Sequence, residues 1–297
     1  MDKLTSIIAA TDLSDDSFYA AERAALLAKE HRATLSLLHV VSEHSLHDLR
    51  SIFGSPAEIE RTVIEDARSK LRDTAAALAS QAGVAARTDI TTGQVVMDIR
   101  TAAEAADVLV LGAHGANPLS DLFLGTTAER VLRTCRRPTL IVKRPPLGAY
   151  QHILVPVDFS SYSGSTLTLA RRIAPQAHIT VVHAFRIPFE ARLRIAGAAE
   201  ETIKRYSDEQ RQEAGRRIEE LIVNCLPESG GTSSAIEQGD PSRVILAKAE
   251  ALHADLIVIG KQGQSRAEEL LLGSVTRHVM AGSKCDVLVV TEIPRST

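Results

Sequence analysis

The sequence predicts an α/β protein made of two tandem domains, each a five-stranded, parallel, open sheet with helices on both faces. Three observations carry this. Short apolar, β-branched runs alternate with longer stretches of helical periodicity along the whole chain. The alternation occurs twice, with Asp12 answering to Asp158 and Gly112 to Gly260 at offsets of 146 and 148 residues. Each half also holds the spacing Gly-x-x-Gly, nine residues, Gly-Ser/Thr: Gly112, Gly115, Gly125 and Thr126 in the first, Gly260, Gly263, Gly273 and Ser274 in the second.

The elements follow in order. SIIAATDLS, from Ser6, reads as a first strand that ends at Asp12 before a helix, and LSLLHVV (35–41) as the second strand. Ser55-Pro56 followed by Glu58 has the form of a helix start, with Pro at the first position and a reciprocal Glu, and Gly83 marks the stop. TTGQVVMDI (91–99) runs from the third strand into the third helix. AADVLVLGAHG (105–115) is the fourth strand with its glycine loop, and RPTLIV (137–142) the fifth strand. Arg144-Pro145-Pro146-Leu147-Gly148 punctuates the chain as a linker, which sets the domains at 1–145 and 150–297. HILVPVDFS, ITVVHAF, EQGDPSRVI, HADLIVIGKQG and CDVLVV then repeat the first series, with Pro175 closing the first helix. The charge run Glu200–Glu220 reads as the solvated face of a helix.

A strand that runs through glycines into a hydroxyl-bearing helix start builds a phosphate pocket, because backbone N–H groups at a helix N-terminus point at ligand oxygens. In open parallel sheets ligands settle at the carboxyl ends of the strands. The loops after the first and fourth strands are therefore the candidate site in each half, and the chain reads as a duplicated nucleotide binder.

These residues resemble the universal stress protein family, whose ATP-binding motif has the Gly-x-x-Gly, nine residues, Gly-Ser/Thr pattern. The Asp that ends VPVDFS and the GDPSRVI segment extend the match, which covers nearly the whole chain. The resemblance implies strand order 3-2-1-4-5 in each domain. It also implies an intrachain pseudo-dimer through Thr139–Val142 and Val287–Val290, with a homodimer as the alternative. By position it implies that Asp12 and Asp158 touch the adenosine, with Pro156 beside the latter. Val40 and Ala184 would hold the base by main-chain contacts. Gly112, His114, Gly115, Gly125, Thr126 and Thr127 would line the phosphates in the first half. Gly260, Gln262, Gly263, Gly273, Ser274 and Val275 would do so in the second. The implied ligand is ATP or another adenine nucleotide, with Mg2+ arriving on its phosphates.

Single residues carry alternatives. Asp12 and Asp158 are equally well placed to cap the next helix. His114 is favoured as a polar contact over a general acid or base, since Gln262 replaces it in the second half. Lys261 reads as a solvated surface lysine or a mobile charge for phosphate. His39 and His183 alternate with apolar neighbours and read as structural histidines. Ser229-Gly230-Gly231-Thr232-Ser233-Ser234 is similar to the pyrophosphatase loop SGGxDS but lacks its Asp and precedes the third strand, so it reads as a turn.

Composition bounds the rest. Aromatic residues make up 3% with no Trp, and the net charge of −3 is spread evenly, which argues against nucleic acid and an anionic membrane as partners. Three cysteines without metal-ligand spacing read as reduced thiols in a cytoplasmic protein, and Met1-Asp2-Lys3 leaves no room for a signal peptide before the first strand. No P-loop, H-E-x-x-H or G-x-S-x-G sequence occurs. The leading expectation is a stress-response module that binds adenine nucleotide and signals to protein partners, with at most slow ATPase or autophosphorylation. An enzyme that cleaves adenine nucleotides and a nucleotide-free scaffold are the alternatives.

Overall fold

The computed structural model describes residues 3–53, 57–114, 124–187, 199–226, 231–263 and 272–291, with 195 and 197. It divides into two compact units, one of residues up to Ala149 together with the segment from Cys285, the other Tyr150–Lys284. Among the described residues no helix is long and apolar enough to cross a membrane.

In the first unit the strands are β1 (Ser6–Ala10), β2 (Thr34–Ser42), β3 (Ala86–Gly93), β4 (Val108–Gly112) and β5 (Thr139–Val142). They lie in the order β3-β2-β1-β4-β5 and pair in parallel. All five residues of β4 are buried, as expected where helices cover both faces of a parallel sheet, whereas β3 at the edge is mostly exposed. The crossovers are α1 (Asp15–His31), α2 (Glu43–Phe53), α3 (Ala57–Ala82), α4 (Val95–Ala103) and α5 (Thr126–Thr134). The alternation anticipates one helix between the second and third strands, and the structure has two. α2 packs Leu46 into a small cluster with Val41 and Ala67, joined by Leu13 and Leu49. α3 stops at Gly83, whose φ of 69° suits glycine; its expected start, Ser55-Pro56, lies outside the described residues.

The ordered packing of α1 rests on size. Ala20, Ala21, Ala24, Ala25 and Ala28 are all buried, so the helix meets the sheet with methyl groups and comes close to it. Its N-cap is Ser14, whose Oγ accepts from the Ser17 N–H.

β10 (Asp286–Val290), the fifth strand of the second repeat, pairs antiparallel with β5, Val287 opposite Ile141 and Leu288 opposite Leu140. The carboxylate of Asp286 is buried there. It accepts the Lys143 N–H (2.9 Å) and faces the Arg23 Nε at 3.4 Å. Arg23 donates in turn to the Gly148 carbonyl (2.6 Å), tying α1 to the linker. Burial pushes the Lys143 ammonium down from its ordinary value, against the raising pull of Cys285 and Asp286.

In the second unit β6 (His152–Pro156), β7 (His178–Phe185), β8 (Thr232–Gln238) and β9 (Leu256–Gly260) pair in parallel in the order β8-β7-β6-β9. Its helices are α6 (Tyr162–Ile173), α7 (Glu200–Cys225), α8 (Pro241–Ala251) and α9 (Ser274–Gly282). α7 contains the charge run and buries only Ile203, Ala214 and Ile218, one stripe of an otherwise solvated helix. α8 starts as GDPSRVI dictates: Asp240 caps it by accepting the Arg243 N–H, and Pro241 occupies the first turn. The turn reading of SGGTSS is described only from Gly231, which has φ 72°, into β8.

Candidate functional site

In the second unit the carboxyl ends of β6, β7 and β9 and the starts of α6, α8 and α9 surround a cavity of about 440 Å³, within the range of small-molecule sites. Pro156 and Asp158 line it from the end of β6, and Ala184 from β7. Gly260, Gln262 and Gly263 line it from the loop after β9, and Gly273, Ser274 and Val275 from the start of α9. The nine second-half residues that the resemblance assigns to the ligand thus line one space. Val182, Ile245 and Ile259 add apolar wall, while Ser163 and Thr166 of α6 add hydroxyls.

The glycines there serve different needs. A Cβ on Gly260 would lie 3.0 Å from the Tyr162 Cβ, so this glycine admits α6 against the strand. A Cβ on Gly263 would fall 2.6 Å from the Asp158 Oδ2, so Gly263 makes room for a carboxylate at the cavity. Gly273 is unlike both. Its φ of −56° suits any residue, and among the described residues a Cβ there would meet nothing closer than 3.4 Å. Nothing among the described residues demands glycine at Gly273. Among the described residues no side chain caps α9, and the Gly273 N–H donates to the Lys261 carbonyl (2.9 Å). A helix N-terminus without a cap, opening on a cavity, offers its N–H groups and dipole to an anion.

Neither aspartate is the helix N-cap. Asp158 Oδ1 accepts the Ser160 N–H (3.0 Å) and the Ser163 hydroxyl (3.4 Å), bracing the turn into α6. The next residue, Phe159, has φ 60°, uncommon for an aromatic residue, and its counterpart Leu13 has φ 67°. This left-handed step belongs to the loop design of both repeats. It turns the Phe159 ring onto His183, with centroids 4.5 Å apart, and the Arg217 guanidinium covers Phe159 at 4.0 Å.

His183 Nδ1 lies 2.8 Å from the Val157 carbonyl, and His39 Nδ1 lies 2.8 Å from the Thr11 carbonyl. A carbonyl only accepts, so Nδ1 carries the proton in each, and each histidine pins the backbone just before the Asp. Burial pushes the His183 pKa down; the Val157 hydrogen bond opposes this, Arg217 adds to it and Asp158 opposes it.

In the first unit Asp12 is exposed, and its Oδ1 accepts the N–H (3.1 Å) and hydroxyl (2.5 Å) of Ser14, the residue that caps α1. Val40 is buried near the end of β2. A Cβ on Gly112 would meet the Asp16 carbonyl at 3.0 Å, the counterpart of the Gly260 contact. Thr126 and Thr127 are exposed at the start of α5, behind Gly125. Gly115 lies outside the described residues. His114 Nδ1 pairs with Asp16 Oδ2 at 3.1 Å.

Lys261 departs from its expectation. Its side chain is buried (7% exposed), neither solvated nor free to swing toward a ligand. The residues that sequence reading missed are Tyr162, Ser163 and Thr166 at the cavity and Asp16 beside His114. Their signal was positional. In a parallel sheet the helix after the first strand starts beside the loop after the fourth, so its first turns belong to the site.

The sequence model of the universal stress protein family matches residues 3–143 and again 149–291. A universal stress protein of Mycolicibacterium smegmatis is 24% identical over 306 residues, covering 96% of each chain. The crystal structure of a universal stress protein from Archaeoglobus fulgidus aligns with 96% of this chain and 98% of its own, at 22% identity and a TM-score of 0.68. Another solved universal stress protein is a complex with cAMP; it covers 48% of this chain and 99% of its own at 23% identity and a TM-score of 0.37.

Proposed function

Since the chain belongs to the universal stress protein family, with two family domains in tandem, we propose that the cavity of the second unit binds ATP or a related adenine nucleotide. The observation that carries this reading is the pairing, among the described residues, of an α9 N-terminus that no side chain caps with a glycine, Gly273, that packing does not require. A glycine dispensable to the fold at a helix start is explained by a ligand that approaches the backbone closely. The residues fit the parts of such a ligand. Ser274 and Val275 present N–H groups at the end where phosphates would lie, and Val182, Ile245 and Ile259 provide apolar surface for a base. Asp158, an acceptor, would take a ribose hydroxyl or a base amino group. Mg2+ would come with the phosphates. Neither loop brings a repeated nucleophile–base pair, so the output is conformational: occupancy of the site reports nucleotide supply to a protein partner in a stress response, inside the cytoplasm. The first unit carries the same loop frame and is the second site.

The test is direct. Freshly purified protein is denatured and the released small molecules are identified by mass spectrometry, with calorimetry on the emptied protein. Adenine nucleotide near one or two per chain is the expected result. A chain that carries none and shows no heat with ATP, ADP or AMP would sink the reading.

A further inference from the structure

The turn after the first strand of each repeat runs from an aspartate through a left-handed residue to a serine. It is Asp12, Leu13, Ser14 in the first unit and Asp158, Phe159, Ser160 in the second. The Ser14 hydroxyl is engaged twice: it donates to Asp12 Oδ1 at 2.5 Å and accepts the Ser17 N–H as the N-cap of α1. In the second unit the helix starts one residue later, at Tyr162 behind Ser161, whose side chain makes no capping bond. The Ser160 carbonyl accepts the Ser163 N–H at 3.1 Å, and Asp158 Oδ1 takes the Ser160 N–H and the Ser163 hydroxyl. Ser160 is thereby released from capping. Its hydroxyl oxygen is buried and makes no hydrogen bond among the described residues, and Ser160 lines the cavity. A buried hydroxyl without a partner costs the folded state, so its place is explained by a ligand that completes it.

We propose that Ser160 is the residue by which the second unit tells a ribose from a deoxyribose, taking one hydroxyl of the ligand's 2′,3′ diol while Asp158 takes the other. The proposal rests on the adenine-nucleotide reading of the cavity. With phosphates at the α9 N-terminus and the base against Val182, Ile245 and Ile259, the sugar is left to the turn that carries Asp158 and Ser160. A carboxylate there repels a phosphate but accepts a hydroxyl proton. Two hydroxyls on adjacent carbons need two partners side by side. The carboxylate only accepts, whereas the Ser160 hydroxyl can donate or accept. In the first unit the matching hydroxyl is spent on Asp12 and on the cap of α1, so the discrimination belongs to the second unit.

The test is calorimetry on the emptied full chain in a Gly125→Val background, so that the heat comes from the second unit, with ATP, 2′-deoxy-ATP and 3′-deoxy-ATP. ATP should bind about 10-fold more tightly than either analogue, the worth of one hydrogen bond each. Ser160→Ala should abolish the preference over one analogue and keep the preference over the other. A readout without nucleotide accompanies this. Ser160→Ala should hold or raise the urea midpoint of the ligand-free protein, since it removes an unpartnered hydroxyl. Ser14→Ala should lower it, since it removes the Asp12 bond and the cap. A Ser160→Ala midpoint that falls as far as that of Ser14→Ala would show a structural hydroxyl and overturn the proposal. So would a Ser160→Ala protein that keeps both preferences of its parent. Equal binding of ATP and both analogues by the parent defeats this proposal and leaves the adenine-nucleotide reading standing. Absence of all binding defeats both.

Discussion

The described ends of the loops after β4 and β9 share their closing hydrogen bond and helix-start dihedrals but carry two sets of side chains. Ala113, His114 and Ala128 in the first unit stand where Lys261, Gln262 and Thr276 stand in the second. Leu13 and Phe159 share the left-handed φ but not the company. Leu13 packs into the apolar cluster of α2 and α3, whereas Phe159 sits between His183 and Arg217. The difference teaches that main-chain geometry is what the repeat preserves. A pocket built from N–H groups depends on glycines, turns and helix starts, and these tolerate exchange of the side chains around them.

The largest expected break in that comparison lies outside the loops, at a feature only the first unit has. Arg23 and Asp286 are a buried pair, and the second repeat has Leu169 where the first has Arg23. Asp286→Ala removes the buried carboxylate that faces the Arg23 Nε and accepts the Lys143 N–H, and should cost about 3–5 kcal/mol in urea unfolding. The double variant Arg23→Leu, Asp286→Ala should recover part of that, since two buried charges are then gone together. A single variant as stable as wild type would show that the pair contributes nothing.

Next is the second-unit loop itself. Gly263→Val sets a branched side chain against the Asp158 carboxylate, already within 2.6 Å of a first carbon. In a Gly125→Val background, ATP affinity by calorimetry should fall on the order of 100-fold, or ~2.8 kcal/mol, with the circular dichroism spectrum unchanged. Normal affinity in that protein would remove Gly263 from the site.

A smaller effect separates Thr276 from Ala128. Thr276 is buried and its hydroxyl donates to the Gly260 carbonyl at 2.8 Å, a bond the first unit lacks. Thr276→Ala should cost ~1 kcal/mol, read from the urea midpoint. No shift in that midpoint would mean that the bond has no net worth in water.

The smallest effect is in pH. Folded His183 binds a proton less readily than in the unfolded chain, where its pKa is 6.5. The unfolded state therefore takes up the proton first as pH falls. The neutral imidazole's contribution is complete above the unfolded pKa and is lost as pH drops from there to the lowered folded value. His183→Gln should flatten that acid limb in melting temperatures taken between about pH 7.5 and 5. An acid limb identical to wild type would show that His183 is not its source.

Much of this was legible in the sequence because it is written in local chemistry. VLVLG and LIVIG are continuous apolar runs, the first buried throughout and the second in all but Gly260, as a strand covered on both faces requires. GDPSRVI is a helix start whichever fold contains it. The extra helix α2 was not legible, since EHSLHDLRSIF has few apolar residues and Leu46, its buried anchor among the described side chains, is identified only by the cluster it enters. Nor was the burial of Lys261, because a lysine beside a glycine loop looks the same in sequence whether it points into solvent or into the protein.

The sequence by itself determined the duplication, the parallel sheets and the placing of the glycine loops after the fourth strand of each repeat, because periodicity, glycine spacing and capping act over a few residues and repeat. The tertiary structure alone decided the partners across the fold. It brought Asp16 to His114 over 98 residues, Asp158 to the empty side of Gly263, and Asp286 to Arg23. Those pairings depend on which strand lies beside which, and a crossover helix sets two distant residues side by side without leaving any mark in the sequence between them.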